Sequence, residues 1–278
     1  MTDKLKKRAV YIVSDRTGST AELIAQTLLT QFEGFDFEYH TFPFVNTEAD
    51  ATMVAEKIKK NAKVNKIKPL VFCTLVDSGF QKIIAATNAF IVDLFFTFIE
   101  PLEGVLQEQS SHTMGKSHEN LGDLDYNERI EAIDFSINSD DGVLLNHYDN
   151  ADIILLGVSR CGKTPTCLYM AMHFSIKAAN YPLTDDDLTH DTLPPFLEPY
   201  SDKIIGLTID PEQLCAIRQQ RRPNSDYATL EKCKDEIKRA EMIMNNAGLF
   251  VINSTTTSIE EMAVQIVKHK DLLTRSQT

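Results

Sequence analysis

Eight consecutive residues, Gly157, Val158, Ser159, Arg160, Cys161, Gly162, Lys163 and Thr164, fit the phosphate-loop pattern G-x-x-x-x-G-K-[ST] at every fixed position. The glycines let the backbone curl until successive N–H groups converge on phosphate oxygens. A helix starting at the lysine directs the positive end of its dipole at the same anion. Lys163 adds a full charge, and the Thr164 hydroxyl is suited to ligate Mg²⁺. Arg160 either reaches a transferring phosphoryl group or a second phosphate, or points to solvent. Cys161, near a lysine and a helix N-terminus, is either a thiol whose ionisation is eased or a small residue that fits.

Phosphoryl transfer at such a loop needs a carboxylate to hold metal or take a proton. One candidate is Asp210, after an apolar strand, although Asp210, Pro211 and Glu212 also read as a helix start. Asp186 and Asp187, in the acidic stretch after Thr184, are the others, unless that stretch is a solvated loop. Arg218 and Arg222 are four apart on a predicted helix and share a face there, as cations for nucleotide phosphates or as a solvated charged face. The 252–263 segment, INSTTTSIEEMA, looks like the last strand and helix of small nucleoside- and shikimate-type kinases. In the first half, SDRTGS at 14–19 lies where open α/β sheets bind ligands and reads as a grip for a phosphate or partner, or as a structured turn. The spacing of His112 and His118 suits no common metal site, so both read as loop residues.

These groups need elements to position them. Residues 9–13 read as a strand, and the pattern from Ser19 to Glu22 as a capping box opening a helix to about Phe32. Strands over 37–44 and 70–76, helices over 47–64 and 79–88, and a buried strand over 90–99 continue the alternation. The polar stretch 103–124 is expected as a loop or linker, followed by an amphipathic helix over 125–138 and turn chemistry at 139–142. Beyond it, strands are predicted over 152–156, 177–183, 203–209 and 249–253. Helices are predicted over 165–174, 211–222, 228–246 and 258–268, the last opened by a Ser258/Glu261 capping box. The fold class is α/β: an N-terminal doubly wound parallel-sheet domain over 1–102, a linker and helix over 103–149, and a C-terminal P-loop kinase-like α/β domain over 150–278. There is no internal sequence repeat.

The 278 residues include 28 Lys plus Arg against 40 Asp plus Glu, a formal net charge of −12. That average field repels phosphate, which argues against a general nucleic-acid or anionic-membrane binder and requires a local site for any phosphate that is held. No apolar run approaches the roughly 18 residues of a membrane span, and the first residues do not read as a secretory signal. Five cysteines without a compact framework suggest reduced thiols and a cytoplasmic protein.

The chain resembles the pyruvate, phosphate dikinase regulatory protein family from about residue 8 to 268. The carriers are SDRTGSTAE (14–22), PLVFCTLV (69–76), GVSRCGKTPTCLYMA (157–171), AANYPL (178–183), GLTIDPEQL (206–214), RRPNSDYA (221–228) and INSTTTSIEEMA (252–263). RRPNSDYA and the loop cysteine look closer to the branch that regulates phosphoenolpyruvate synthase. The resemblance implies a bifunctional enzyme. It would move the β-phosphate of ADP to a target threonine, inactivating the target, and remove that phosphate by attack of inorganic phosphate, releasing pyrophosphate. It also implies a protein substrate and, with the loop, Mg²⁺. Lys163, with Arg160 as helper, would stabilise charge in one shared site, and Asp186, Asp187 or Asp210 would be base or metal ligand. A homodimer is expected. The same chemistry on pyruvate, phosphate dikinase, a small-molecule P-loop kinase, and a nucleotide-dependent switch without transfer are the competing readings.

Overall fold

A computed structural model describes residues 5–111, 123–140 and 145–272. His112, His118, and Asp141 and Gly142 of the expected turn lie outside the described residues. The chain divides into two α/β units, Met1–Asn120 and Leu121–Thr278. The helix over 125–138 thus belongs with the second unit. No helix among the described residues is long and apolar enough to cross a membrane.

The first unit carries four parallel strands, β1 (Lys6–Ser14), β2 (Phe35–Phe42), β3 (Leu70–Thr74) and β4 (Phe90–Asp93), in the order β2-β1-β3-β4. Its helices are α1 (Ser19–Leu29), α2 (Glu48–Asn65), α3 (Ser78–Ala85) and α4 (Leu94–Leu106). Alternation along β1 builds both layers. Val10 and Ile12 join Ala21, Ala25 and Leu29 of α1 in one core. Tyr11 and Val13 join Ala51, Val54, Ala55 and Ile58 of α2 in the other. A strand apolar on both faces and flanked by helices is the condition for a parallel sheet.

Two expectations are corrected here. The run over 90–99 is not one buried strand: β4 stops at Asp93, whose carboxylate accepts the Phe96 amide at 3.0 Å and opens α4. An apolar run does not by itself separate strand from helix, and the capping acid decides. Phe96 and Phe98 are in fact exposed. The Ser19/Glu22 capping box is also absent. Gly18, in the left-handed region at φ 82°, takes the N-cap position without a side-chain cap, which puts Ser19 inside the helix.

The second unit repeats the strand order. Its strands β5 (Ile153–Gly157), β6 (Ala178–Pro182), β7 (Ile204–Thr208) and β8 (Val251–Asn253) are parallel and ordered β6-β5-β7-β8. The helices are α5 (Asp123–Asn138), α6 (Lys163–Phe174), α7 (Pro211–Arg221), α8 (Leu230–Asn246) and α9 (Ile259–His269). The expected Ser258/Glu261 capping box opens α9. All five residues of β5 are buried, and α5 packs on α6. In each unit the sheet's first strand lies inside, and its C-terminal end marks the point where strand order reverses, the place where open α/β sheets form clefts.

At that end β5 lies hard against β7: a Cβ on Gly157 would fall 2.3 Å from the Leu207 carbonyl oxygen and 2.9 Å from Cys161 Sγ. Backbone cannot yield as a side-chain tip can. Gly157→Ala should therefore destabilise the protein by about 1–3 kcal/mol, read as a lower urea midpoint at unchanged m value. An unchanged midpoint would show that the strand ends are not packed this closely.

Candidate nucleotide-binding site

The loop from Gly157 to Gly162 leaves β5 and enters α6. Arg160 at φ 78° and Gly162 at φ 96° supply the left-handed backbone that reverses the chain. Gly162 is the N-cap of α6 and offers no side-chain cap, so the first amides of the helix face the loop without a side-chain acceptor. This is the arrangement that binds anions. Lys163 is buried, and its Nζ donates to the carbonyl oxygens of Gly157 at 3.0 Å and Val158 at 2.9 Å. Cys161 is buried with Sγ 4.0 Å from that ammonium. Arg160 is exposed.

Thr164, in the first turn of α6, donates its hydroxyl to Asp140 Oδ1 at 2.8 Å. The same oxygen accepts from Nδ2 of Asn180. Asn180 is buried on β6, opposite Leu155 of β5. Asp140 arrives from just beyond the C-terminus of α5, because α5 packs along α6.

Behind the loop sits Arg218, 0% exposed. Its guanidinium donates to the carbonyls of Ser159 and Tyr227, each at 3.1 Å, and to Glu236 at 2.7 Å. It also stacks 4.0 Å from the centroid of Tyr227. Tyr227 in turn donates its hydroxyl to Ser159 Oγ at 2.9 Å. Burial works against the charge of Arg218, but the hydrogen bond and charge of Glu236 outweigh it and hold the guanidinium above its ordinary range. The network continues through Lys232, 3.6 Å from Glu236, to Asp185 at 2.5 Å.

The eight loop residues are thus brought together, with Arg218 against the loop's back. Arg218 and Arg222 do not share a helical face. α7 ends at Arg221, and Arg222 turns out of the helix at φ −137° and is exposed. Asp210 caps α7 by position, not by its side chain. Its carboxylate accepts Asn253 Nδ2 at 3.0 Å, and its amide donates to Thr255 Oγ1 at 2.7 Å. Asp187 closes its own turn: Oδ2 accepts from Thr184 N, Thr184 Oγ1 and the Tyr181 hydroxyl at 2.7 to 2.9 Å. Burial, and after it that hydrogen bond, push the Tyr181 phenol up to about 12. Asp186 is exposed beside it. In the first unit, SDRTGS forms a structured turn. Buried Ser14 accepts from Thr74 Oγ1 and the Arg16 amide, and buried Asp15 accepts the Val76 amide.

Sequence reasoning missed Asp140, Asn180, Tyr227 and Glu236. Tyr227 and Asn180 had a signal, their places in the RRPNSDYA and AANYPL blocks, and Asp140 was legible only as turn chemistry.

The family model described as kinase/pyrophosphorylase matches residues 10–267. Similar relatives come from Pseudomonas fluorescens strain SBW25, P. fluorescens strain Pf0-1 and Stutzerimonas stutzeri strain A1501. Each is 46% identical over 264 residues, spanning 95% of this chain and 97% of the relative. All three carry the provisional name phosphoenolpyruvate synthase regulatory protein.

The buried pair makes a specific demand. Glu236→Gln leaves Arg218 charged and unpaired and should cost about 3–5 kcal/mol in urea unfolding, whereas Arg218→Met combined with Glu236→Leu should cost less than either single change. Strictly additive losses would contradict the pairing.

Proposed function

The chain belongs to the kinase/pyrophosphorylase family, and from that premise we propose that it regulates phosphoenolpyruvate synthase by reversible phosphorylation. In one direction a threonine hydroxyl of the synthase attacks the β-phosphorus of ADP. The bond from that phosphorus to the bridging oxygen breaks, AMP leaves, and the hydroxyl proton passes to a carboxylate. In the other, an oxygen of inorganic phosphate attacks the phosphothreonine. The bond from phosphorus to the threonine oxygen breaks, pyrophosphate leaves, and the threonine regains its proton. The first step inactivates the synthase and the second restores it.

The observation that carries this reading is the loop itself: an uncapped helix N-terminus, a lysine whose ammonium lies within the curl, and a threonine in the first turn. Such a cradle holds the β-phosphate of a diphosphate as well as that of a triphosphate. In the reverse direction it holds inorganic phosphate, so one site serves both reactions. Lys163 exchanges its carbonyl partners for phosphoryl oxygens and stabilises the charge that builds during transfer. Arg160, exposed on the loop, adds a second cation. Asp186 and Asp210 are the better placed of the sequence candidates for the proton, because the Asp187 carboxylate is committed to its own turn. The Thr164 hydroxyl and the Asp140 carboxylate are hard oxygen donors, the kind that Mg²⁺ takes. Bound there, Mg²⁺ supplies charge neutralisation on the phosphoryl oxygens. The five free cysteines suit a reducing compartment, and the reaction belongs in the cytoplasm.

Purified protein, synthase and Mg²⁺ are incubated with β-labelled ADP or with labelled ATP, then chased with inorganic phosphate. Label should enter a synthase threonine from ADP and leave as pyrophosphate. Lys163→Ala should slow both directions by at least about 10²-fold. Loss of the kinase direction alone would overturn the single shared site. Label on pyruvate, phosphate dikinase instead would change the target, and label on a small metabolite or nucleotide binding without transfer would overturn the reading.

A further inference from the structure

Asp140 reads from the sequence only as part of a turn, yet its carboxylate touches the loop. We propose that Asp140 is the carboxylate that holds the divalent cation at this site, acting through and beside Thr164, and that Asp210 at the end of β7 does not have that task. The inference rests on the phosphoryl-transfer reading above and names which acid anchors its metal.

A hydroxyl has one proton and two lone pairs. The proton of Thr164 is committed to Asp140 Oδ1 at 2.8 Å, which turns both lone pairs away from Asp140. Those lone pairs are what a cation at the phosphate cradle uses. Asp140 Oδ1 is fixed by a second donor, Asn180 Nδ2, on a side chain 1% exposed. Oδ2 has no hydrogen bond among the described residues. The carboxylate therefore has one oxygen that sets its orientation and one left to face a cation or its waters. Mg²⁺ keeps several waters and takes one or two protein carboxylates, so a threonine and one such acid form a sufficient protein set. Asp210 is differently placed, its carboxylate held by Asn253 and its amide by Thr255, neither of which is in the loop. Asp140 also does not come from a strand of the sheet. It follows α5, so the packing of α5 on α6 sets its distance from Thr164.

The test is a Mn²⁺ titration, followed by electron paramagnetic resonance, of the full-length protein with saturating ADP. Wild type, D140N and D210N are compared, and ADP affinity is measured separately in EDTA. D140N should weaken Mn²⁺ binding by at least about tenfold, the usual scale for losing a group that orients a metal ligand. D210N should stay within twofold of wild type, and metal-free ADP affinity should match in all three. Thr164→Ser should keep Mn²⁺ affinity and Thr164→Val should lose it. D140N within twofold of wild type would overturn the proposal. So would D140N losing metal-free ADP affinity by the same factor, since Asp140 would then shape the loop alone. If wild type takes Mn²⁺ with ATP but not with ADP, the ADP reading above fails, and the same tenfold criterion is applied with ATP.

Discussion

The second unit is organised around the buried Arg218–Glu236 ion pair. Arg218 lies fully inside, where an unpaired charge is not tolerated, so every element near it must bring an acceptor. α8 brings Glu236, the turn before α8 brings the Tyr227 carbonyl and ring, and the loop brings the Ser159 carbonyl. The arrangement has a consequence for the phosphate loop. Of the loop's carbonyls, those of Gly157 and Val158 accept from Lys163, and that of Ser159 is satisfied by a guanidinium that is itself pinned on three sides. The back of the cradle is thus tied directly into the core. At the front, Lys163 bridges the Gly157 and Val158 carbonyls by bonds that a phosphate can exchange.

The two units place chemistry alike with unrelated sequences. Both have a sheet in which the first strand pairs with the second on one side and the third on the other. Both run from that strand through a short loop to a helix whose N-cap is a left-handed glycine, Gly18 or Gly162, without a side-chain cap. The difference lies in the side chains. In the first unit Ser14 and Asp15 turn inward and bond to β3 and the residues after it. In the second, the lysine and threonine of the motif lie at the loop and the first turn of the helix. Topology sets where a site can form, and the residues decide whether one does.

What the sequence revealed follows from the range of each interaction. The phosphate loop was legible because glycine, lysine and threonine are demanded by backbone geometry within eight residues. The alternating strands and helices were legible because both faces of β1 and β5 are apolar over a short span. The run over 90–99 was misread because apolar content does not distinguish strand from helix, and Asp93 ends one and starts the other. Arg218 was placed on a face with Arg222 by spacing alone. Its partner Glu236 lies 18 residues on, across a turn and on a different helix. Asp140 was legible only as turn chemistry, since its partner Thr164 is 24 residues away. Long-range polar pairs leave no period in the chain, so the parts of the site built from them appear only in three dimensions.

The charge of the molecule sets the terms on which such a site works. At −12 the average field opposes any phosphate-bearing anion. That field is screened beyond about 8 Å at physiological ionic strength, so affinity depends on groups within contact distance. Those groups are loop amides, the first turn of α6 and the ammonium of Lys163, with Arg160 at the rim. Arg218 adds nothing to this front, because its charge is matched by Glu236 and both terminal nitrogens are held behind the loop. Its contribution is to fix where the loop amides point. A buried ion pair that is neutral overall and a cradle that is cationic locally are therefore complementary: the first ties down the back of the loop without adding net charge, and the second concentrates positive charge at the loop where the proposed transfer would take place.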